Sequence, residues 1–173
     1  MSTIQPITPC LWFDSEAEEA ARFYTSIFEN SRVVAITRYG EAGIEVHGRA
    51  AGTVMTVEFE LNGQPFTALN GGPHFTFNEA VSFQVMCRTQ EEVDHYWDLL
   101  GEGGDAKAQQ CGWLKDKYGL SWQVVPTGMV EILNDPDREK ADRAMEAMLK
   151  MKKLDIAELQ RAFDGATEVS GKR

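Results

Sequence analysis

The sequence is short of basic residues and lacks the usual marks of nucleotide and metal chemistry. It has 17 Lys and Arg against 27 Asp and Glu, a net charge of -10 over 173 residues. Nucleic acids and anionic membranes are held by clustered cations, so neither is expected as a partner. No apolar run approaches the length of a membrane span. The opening Met1-Ser-Thr-Ile-Gln-Pro6 has no basic or apolar leader region, so a cytoplasmic location is expected. The three cysteines, Cys10, Cys87 and Cys111, are widely spaced without a CxxC, as reduced thiols usually are. Cys10 and Cys87 have no paired His, so no nucleophilic role is expected of them. P-loop, G-x-S-x-G and H-E-x-x-H patterns are missing. The first strand-like run ends Trp12-Phe-Asp-Ser-Glu16 without a glycine, unlike the nucleotide-binding turn of a conventional adenosylmethionine enzyme. Gly71-Gly72-Pro73 precedes a strand rather than a helix, so it cannot present helix N-terminal amides to an anion.

What is present is an ordinary globular composition, 43% hydrophobic and 25% charged. Residues 7–13 suit a strand. Ser15-Glu-Ala-Glu18 reads as a capping box, and Ala20, Phe23, Tyr24 and Ile27 give a helix one buried face. Strands are expected at 33–39 and 53–61, separated by a loop over 41–52. In the second of them Val57, Phe59 and Leu61 alternate with Thr56, Glu58 and Glu60. Asn62-Gly63 is a strong hairpin signal that sets Phe59 opposite Phe66 and Glu58 opposite Thr67. Thr56, Glu58, Thr67 and Leu69 then share one face.

After residue 72 the pattern restarts. A strand at 82–87 precedes a second capping box, Thr89-Gln-Glu-Glu92, and a stripe of Val93, Tyr96, Trp97 and Leu100. Residues 108–115 and 120–125 read as strands joined by a turn at 116–119. Ala20 matches Val93, Tyr24 matches Trp97, and Phe66-Thr-Ala-Leu-Asn70 matches Trp122-Gln-Val-Val-Pro126. The expectation is an α+β fold of tandem βαβββ-type repeats, about 4–72 and 80–127, forming one domain over 1–127 with a site between the halves. A helical extension over 128–165 follows, with Asp135 capping, Pro136 in the first turn, and a stripe of Ala141, Ala144, Met145, Met148 and Leu149. Asp155 caps a last helix, stapled by Leu154 and Leu159 and ended by Gly165. Residues 166–173 are expected to be disordered. The stripe can lie on the parent domain or on a second copy; a homodimer is the expected assembly.

Several segments carry a resemblance: Phe23-Tyr24, Phe59-Glu-Leu-Asn-Gly-Gln64, Ala68-Leu-Asn-Gly-Gly-Pro73, Ser82-Phe83, Asp116-Lys-Tyr-Gly119 with Trp122, and Met148-Leu-Lys-Met-Lys-Lys-Leu-Asp-Ile-Ala157. Together, from about Ile4 to Gly165, they resemble the PhnB-like family. That family carries the label 3-demethylubiquinone-9 3-methyltransferase and lies within the vicinal oxygen chelate (glyoxalase/bleomycin resistance) superfamily. The resemblance implies the fold, and much less about chemistry. Metal-using members of the superfamily place His or Glu ligands on the first and last strands of each half. The matching places here are Ile7 or Thr8, Ser82, Thr67 and Gln123. None is an acid or imidazole, so neither a metal nor another cofactor is expected.

The expected function is binding of a small organic molecule in a metal-free cavity. Glu58 is the one catalytic candidate, an acid or base if partly buried and otherwise a solvated strand-face glutamate. Thr67, Leu69, Asn70, His74, Ser82, Gln84, Trp113 and Gln123 are the expected ligand pocket. Trp12, Trp97 and Trp122 are expected in the core, His95 at the surface, and His47 in a loop. Alternatives are an enzyme using Glu58, a methyltransferase as in the family label, and an antibiotic-sequestering or interaction module.

Overall fold

The computed structural model describes residues 7–165. The expected disordered tail and the first residues of the leading half lie outside them. The described chain falls into two compact units divided between Phe77 and Asn78.

The first unit runs β1 (Cys10–Phe13), α1 (Ala17–Ile27), β2 (Arg32–Arg38), a one-turn helix α2 (Ile44–His47), β3 (Val54–Leu61) and β4 (Gln64–Asn70). Its sheet has the order β1-β4-β3-β2, with β1 parallel to β4 and the other pairs antiparallel. Asn62 and Gly63 both take positive φ, 48° and 79°, as a tight two-residue hairpin demands. The hairpin therefore sets the expected register: Phe59 faces Phe66, Glu58 faces Thr67, and Thr56 faces Leu69. Val57, Phe59, Leu61, Phe66 and Ala68 are buried on one sheet face, with Ala20, Tyr24 and Ile27 of α1 also buried. Tyr24 stacks on Phe59 at 6.3 Å, and Phe59 on Phe66 at 5.4 Å. Alternation leaves Thr56, Glu58, Thr67 and Leu69 on the opposite, open face.

Ser15 does not cap α1. The Ala17 amide instead donates to Asn70 Oδ1 at 2.8 Å, a distant side chain displacing the local one. Trp12 is only half-buried and opposes Leu69, so it lies on the open face, while its neighbours Leu11 and Phe13 are buried.

The second unit runs β5 (Ser82–Cys87), α3 (Gln90–Gly101), a 3-10 turn (Ala106–Ala108), β6 (Trp113–Lys115), β7 (Ser121–Pro126), and three tail helices. The sheet order is β5-β7-β6, with β5 parallel to β7. Thr89 caps α3, accepting from the Glu92 amide at 3.2 Å, as its capping sequence foretells. The strand expected over 108–115 shrinks to its last three residues. Cys111 and Gly112 turn the chain at φ 52° and 82°, and Gln110 and Trp113 bond each other across that turn. So the first unit has the full βαβββ set, and the second lacks the strand that follows the helix.

The tail helices are α4 (Met129–Leu133), α5 (Arg138–Met148) and α6 (Ile156–Asp164). Asp137, not Asp135, caps α5, and Pro136 lies ahead of the helix. Asp155 and Gly165 bound α6 as expected. Leu154 and Leu159 are buried with Met129, against Val125, Leu133, Met148 and Met151. The tail thus packs on its own second unit. Gln90 accepts from the Ile156 amide and donates to the Leu154 carbonyl, while Met151 and Lys152 carbonyls take the Cys111 and Gly112 amides. Met145 and Leu149 of the expected stripe stay exposed.

Candidate functional site

On the first unit's open face, β3 and β4 bring Glu58 and Thr67 side by side. A cleft of about 470 Å³ is lined by Thr8, Val34, Glu58, Glu60, Pro65 and Thr67, among others. Glu60 is engaged by Arg32 at 2.9 Å. Glu58 is exposed, and its carboxylate has no hydrogen bond or ion pair among the described residues. The partial burial on which an acid or base role was expected to lean is therefore missing. What remains is a carboxylate that can accept hydrogen bonds, with the Thr67 hydroxyl beside it and that of Thr8 farther along the same cleft, each able to donate and accept.

Asn70 and His74 differ in kind. Asn70 is 5% exposed and its amide is spent internally: Oδ1 accepts from Ala17, Nδ2 donates to the Val54 carbonyl at 3.1 Å. Its own carbonyl accepts from the Tyr39 hydroxyl at 2.6 Å. It ties α1, β3 and β4 together and is buried at the helix N-terminus. His74 is exposed in the loop beyond β4. Leu69 lies between Thr56 and Trp12 on the open face. Trp12 was not expected there. Its Nε1 donates to the Gly72 carbonyl at 2.8 Å, and its ring meets Phe75 edge-on at 4.9 Å. A Cβ on Gly71 would stand 2.1 Å from that ring, so the glycine pair serves to seat an indole.

The second unit's open face carries Ser82, Gln84 and Gln123. Gln123 Nε2 donates to Ser82 Oγ at 2.8 Å, and Gln84 Nε2 donates to Gln123 Oε1 at 3.3 Å. Trp113 opposes Gln123 from β6. The Asp116 turn is structural: its carboxylate accepts from the Tyr118 and Leu120 amides and, at 2.8 Å, from Trp122 Nε1. Burial, with Glu92 nearby, pushes the Cys87 thiol up to about 11, which suits a core residue and not a nucleophile. Trp97 and Trp122 are buried and His95 is exposed, as expected.

The four places where the superfamily's metal users carry ligands hold no acid or imidazole: Ile7 or Thr8, Thr67, Ser82 and Gln123. In the second unit the two donors are already bonded to each other. Among the described residues no group of three or more His, Cys, Asp and Glu converges. This donor set does not fit a divalent ion, which takes charged carboxylates or imidazoles. Nor is α1 open to a nucleotide phosphate, because Asn70 occupies its N-terminus. Among the described residues no helix is long and apolar enough to cross a membrane.

Comparison with known proteins gives the family and the fold. The model of the family 3-demethylubiquinone-9 3-methyltransferase matches residues 5–125. The match ends before the tail, whereas the resemblance in sequence runs on to about Gly165. A PhnB protein of Bacillus cereus bearing the same family description is 40% identical, covering 71% of this chain and 100% of its own, with a TM-score of 0.62. Protein PA1353 of Pseudomonas aeruginosa shares the fold at 18% identity, 72% and 98% coverage, and a TM-score of 0.55. FosX, a fosfomycin resistance protein of Listeria monocytogenes, aligns at 13% identity over 73% of this chain and 93% of its own, with a TM-score of 0.44. Among curated proteins there is no match to this chain.

Proposed function

Because the chain belongs to the 3-demethylubiquinone-9 3-methyltransferase family, and has the glyoxalase/bleomycin-resistance fold of its PhnB-like members, we propose that it binds a small organic molecule without the help of a metal. The observation that carries this reading is the first-unit cleft, in which one unengaged carboxylate, Glu58, stands beside Thr67 and Thr8. Its volume of about 470 Å³ lies within the usual range for small-molecule sites. A carboxylate with hydroxyls to one side suits a ligand that offers hydrogen-bond donors, such as a polyol or an amine. Thr67 and Leu69 line this face, whereas Ser82, Gln84 and Gln123 lie on the second unit's own open face. Homodimer formation and a cytoplasmic location belong to the proposal, supported by the exposed apolar Met145 and Leu149 and by three free thiols.

A binding protein fits better than an acid–base enzyme, because Glu58 is exposed and no neighbouring group holds its carboxylate in place. The family's name brings no activity with it, and residues 71–72 together with Asn70 serve the fold where a methyl-donor nucleotide would need free amides. The test is a thermal-shift screen of small polyols, amines and hydroxy acids. A ligand at a hundred times its dissociation constant adds about 2.7 kcal/mol to stability. Thr67→Val should weaken a true ligand of this cleft. Glu58→Gln should weaken binding for a binder, by about tenfold where the ligand is an amine, and should abolish turnover while sparing binding for an enzyme. A screen in which every hit is indifferent to both substitutions would remove the cleft from consideration.

A further inference from the structure

A second cleft, of about 430 Å³, lies wholly within the second unit at the open edge of β6. It shares no residue with the first-unit cleft and does not depend on that reading. Its lining includes Trp113, Lys115 and Ser121, with Cys111, Ala108 and Glu79 around them. Ser121 is the telling residue. It is 1% exposed, yet its Oγ is buried without a hydrogen-bond partner among the described residues. A buried hydroxyl normally finds a partner, and one left without has a cost that needs an explanation. Trp122 and Val124 are buried on the helix side of β7, so alternation turns Ser121 the other way, where it lines the cleft.

The register sets Ser121 directly opposite Lys115. The Lys115 side chain is 24% exposed and its ammonium pairs with Glu79, whose side chain is 64% exposed. A half-buried cation is thus held by a carboxylate that water can reach and a ligand can displace. The third component is the half-buried indole of Trp113, on the same strand face as Lys115 two residues on. Hydroxyl, ammonium and indole converge on one mostly apolar space, a pattern typical of small-molecule sites.

We propose that this cleft binds a flat, mainly apolar organic anion: an aromatic carboxylate whose ring lies against Trp113, whose carboxylate replaces Glu79 on Lys115, and whose second polar group bonds Ser121 Oγ. The chain's net charge of -10 repels anions in general, so recognition depends on Lys115 locally. The strained Cys111–Gly112 turn beside the cleft is fixed from behind, where its two amides bond the Met151 and Lys152 carbonyls. The tail therefore holds one wall of this site in place.

The experiment is a ligand-detected NMR titration of the full chain with 6-hydroxy-2-naphthoate and with its uncharged amide. The acid should bind about tenfold more tightly than the amide, the difference expected for one charge-assisted contact. Lys115→Met should remove that preference and Lys115→Arg should retain most of it. Ser121→Ala should weaken acid and amide alike by a few-fold. Glu79→Gln, a surface change that leaves folding undisturbed, should tighten the acid and leave the amide unchanged; it decides the matter even if a Lys115 variant folds poorly. Equal binding of acid and amide, no binding of either, or an acid affinity indifferent to Glu79→Gln would overturn the proposal.

Discussion

The two units follow one plan and differ most at the residues that decide their use. Aligned by strand register, Asn70 at the end of β4 corresponds to Pro126 at the end of β7, and Gly71 to Thr127. The bond beyond each strand is conserved in kind: the Gly71 amide donates to the Phe13 carbonyl at 2.9 Å, the Thr127 amide to the Cys87 carbonyl at 2.8 Å. What hangs on that frame is different. In the first unit Asn70 reaches across to start α1; in the second, proline has no amide side chain to do so, and α3 is started by its own Thr89. On the open faces Glu58 corresponds to Trp113 and Glu60 to Lys115. One face offers a carboxylate, the other an indole and an ammonium. A repeated fold has been given two surfaces of opposite chemical taste.

The largest test of this contrast is Asn70→Ala. It leaves the Ala17 amide and the Val54 carbonyl buried without their partner, at a cost of roughly 3 kcal/mol. Urea unfolding should show it as a clear loss of midpoint; an unchanged midpoint would mean that Asn70 is free for other work. Gly71→Ala comes next. The new methyl would run into the Trp12 ring, and repacking should cost about 2 kcal/mol, while Thr127→Ala at the matching place should cost little. Trp12→Ala placed in the Gly71→Ala background should relieve the clash, which makes the pair strongly non-additive.

The caps give a smaller and sharper contrast. Thr89→Ala should cost about 1 kcal/mol in thermal or chemical unfolding. Ser15→Ala should change stability by less than about 0.5 kcal/mol, since Asn70 has taken its role. The smallest effect concerns the tail latch, in which Lys153 lies 2.9 Å from Asp94. Hydrogen bonds from Lys153 and Gln90 hold the Asp94 carboxyl below its ordinary 3.8, and the bond to Asp94 lifts the Lys153 ammonium above its ordinary 10.5. The Asp94 contribution is therefore present above pH 3.8 and lost as pH falls through the lower folded value. The Lys153 contribution is present below pH 10.5 and lost as pH rises through the higher folded value. Both side chains are partly open to water, which screens the pair, so the effect is weak. The stability gap between the native chain and Lys153→Met should be flat between these limits and close beyond either one.

Much of this architecture can be read in the sequence, because its signals are local and strong. Asn62-Gly63 sets the β3–β4 register, and alternation along β3 then assigns Glu58 and Thr67 to one face. Thr89 and Asp155 cap the helices they precede. The misses come where a distant group overrides a local rule. Ser15 has the right spacing for a cap and loses to Asn70, 53 residues away from Ala17 in the chain. Leu11, Trp12 and Phe13 are all apolar, so no alternation reveals that Trp12 faces away from the helix. The strand over 108–115 is cut short by a turn at Cys111, a residue that seldom takes positive φ, held by carbonyls from the tail. Helix α4 has five residues, too few for a period to register. The candidate cleft was legible through Glu58 and Thr67, whereas Ser121 and Lys115 carry no motif. Only burial and register single them out.

The central claim is that the first-unit cleft takes its ligand with no metal. Calorimetric titration of the best thermal-shift hit, before and after exhaustive chelation, addresses it directly. The account predicts the same dissociation constant in both titrations, and a loss of about tenfold in Thr67→Val, whose donor and acceptor are both removed. A ligand that binds only when a divalent ion is restored, at full affinity in Thr67→Val, would contradict it.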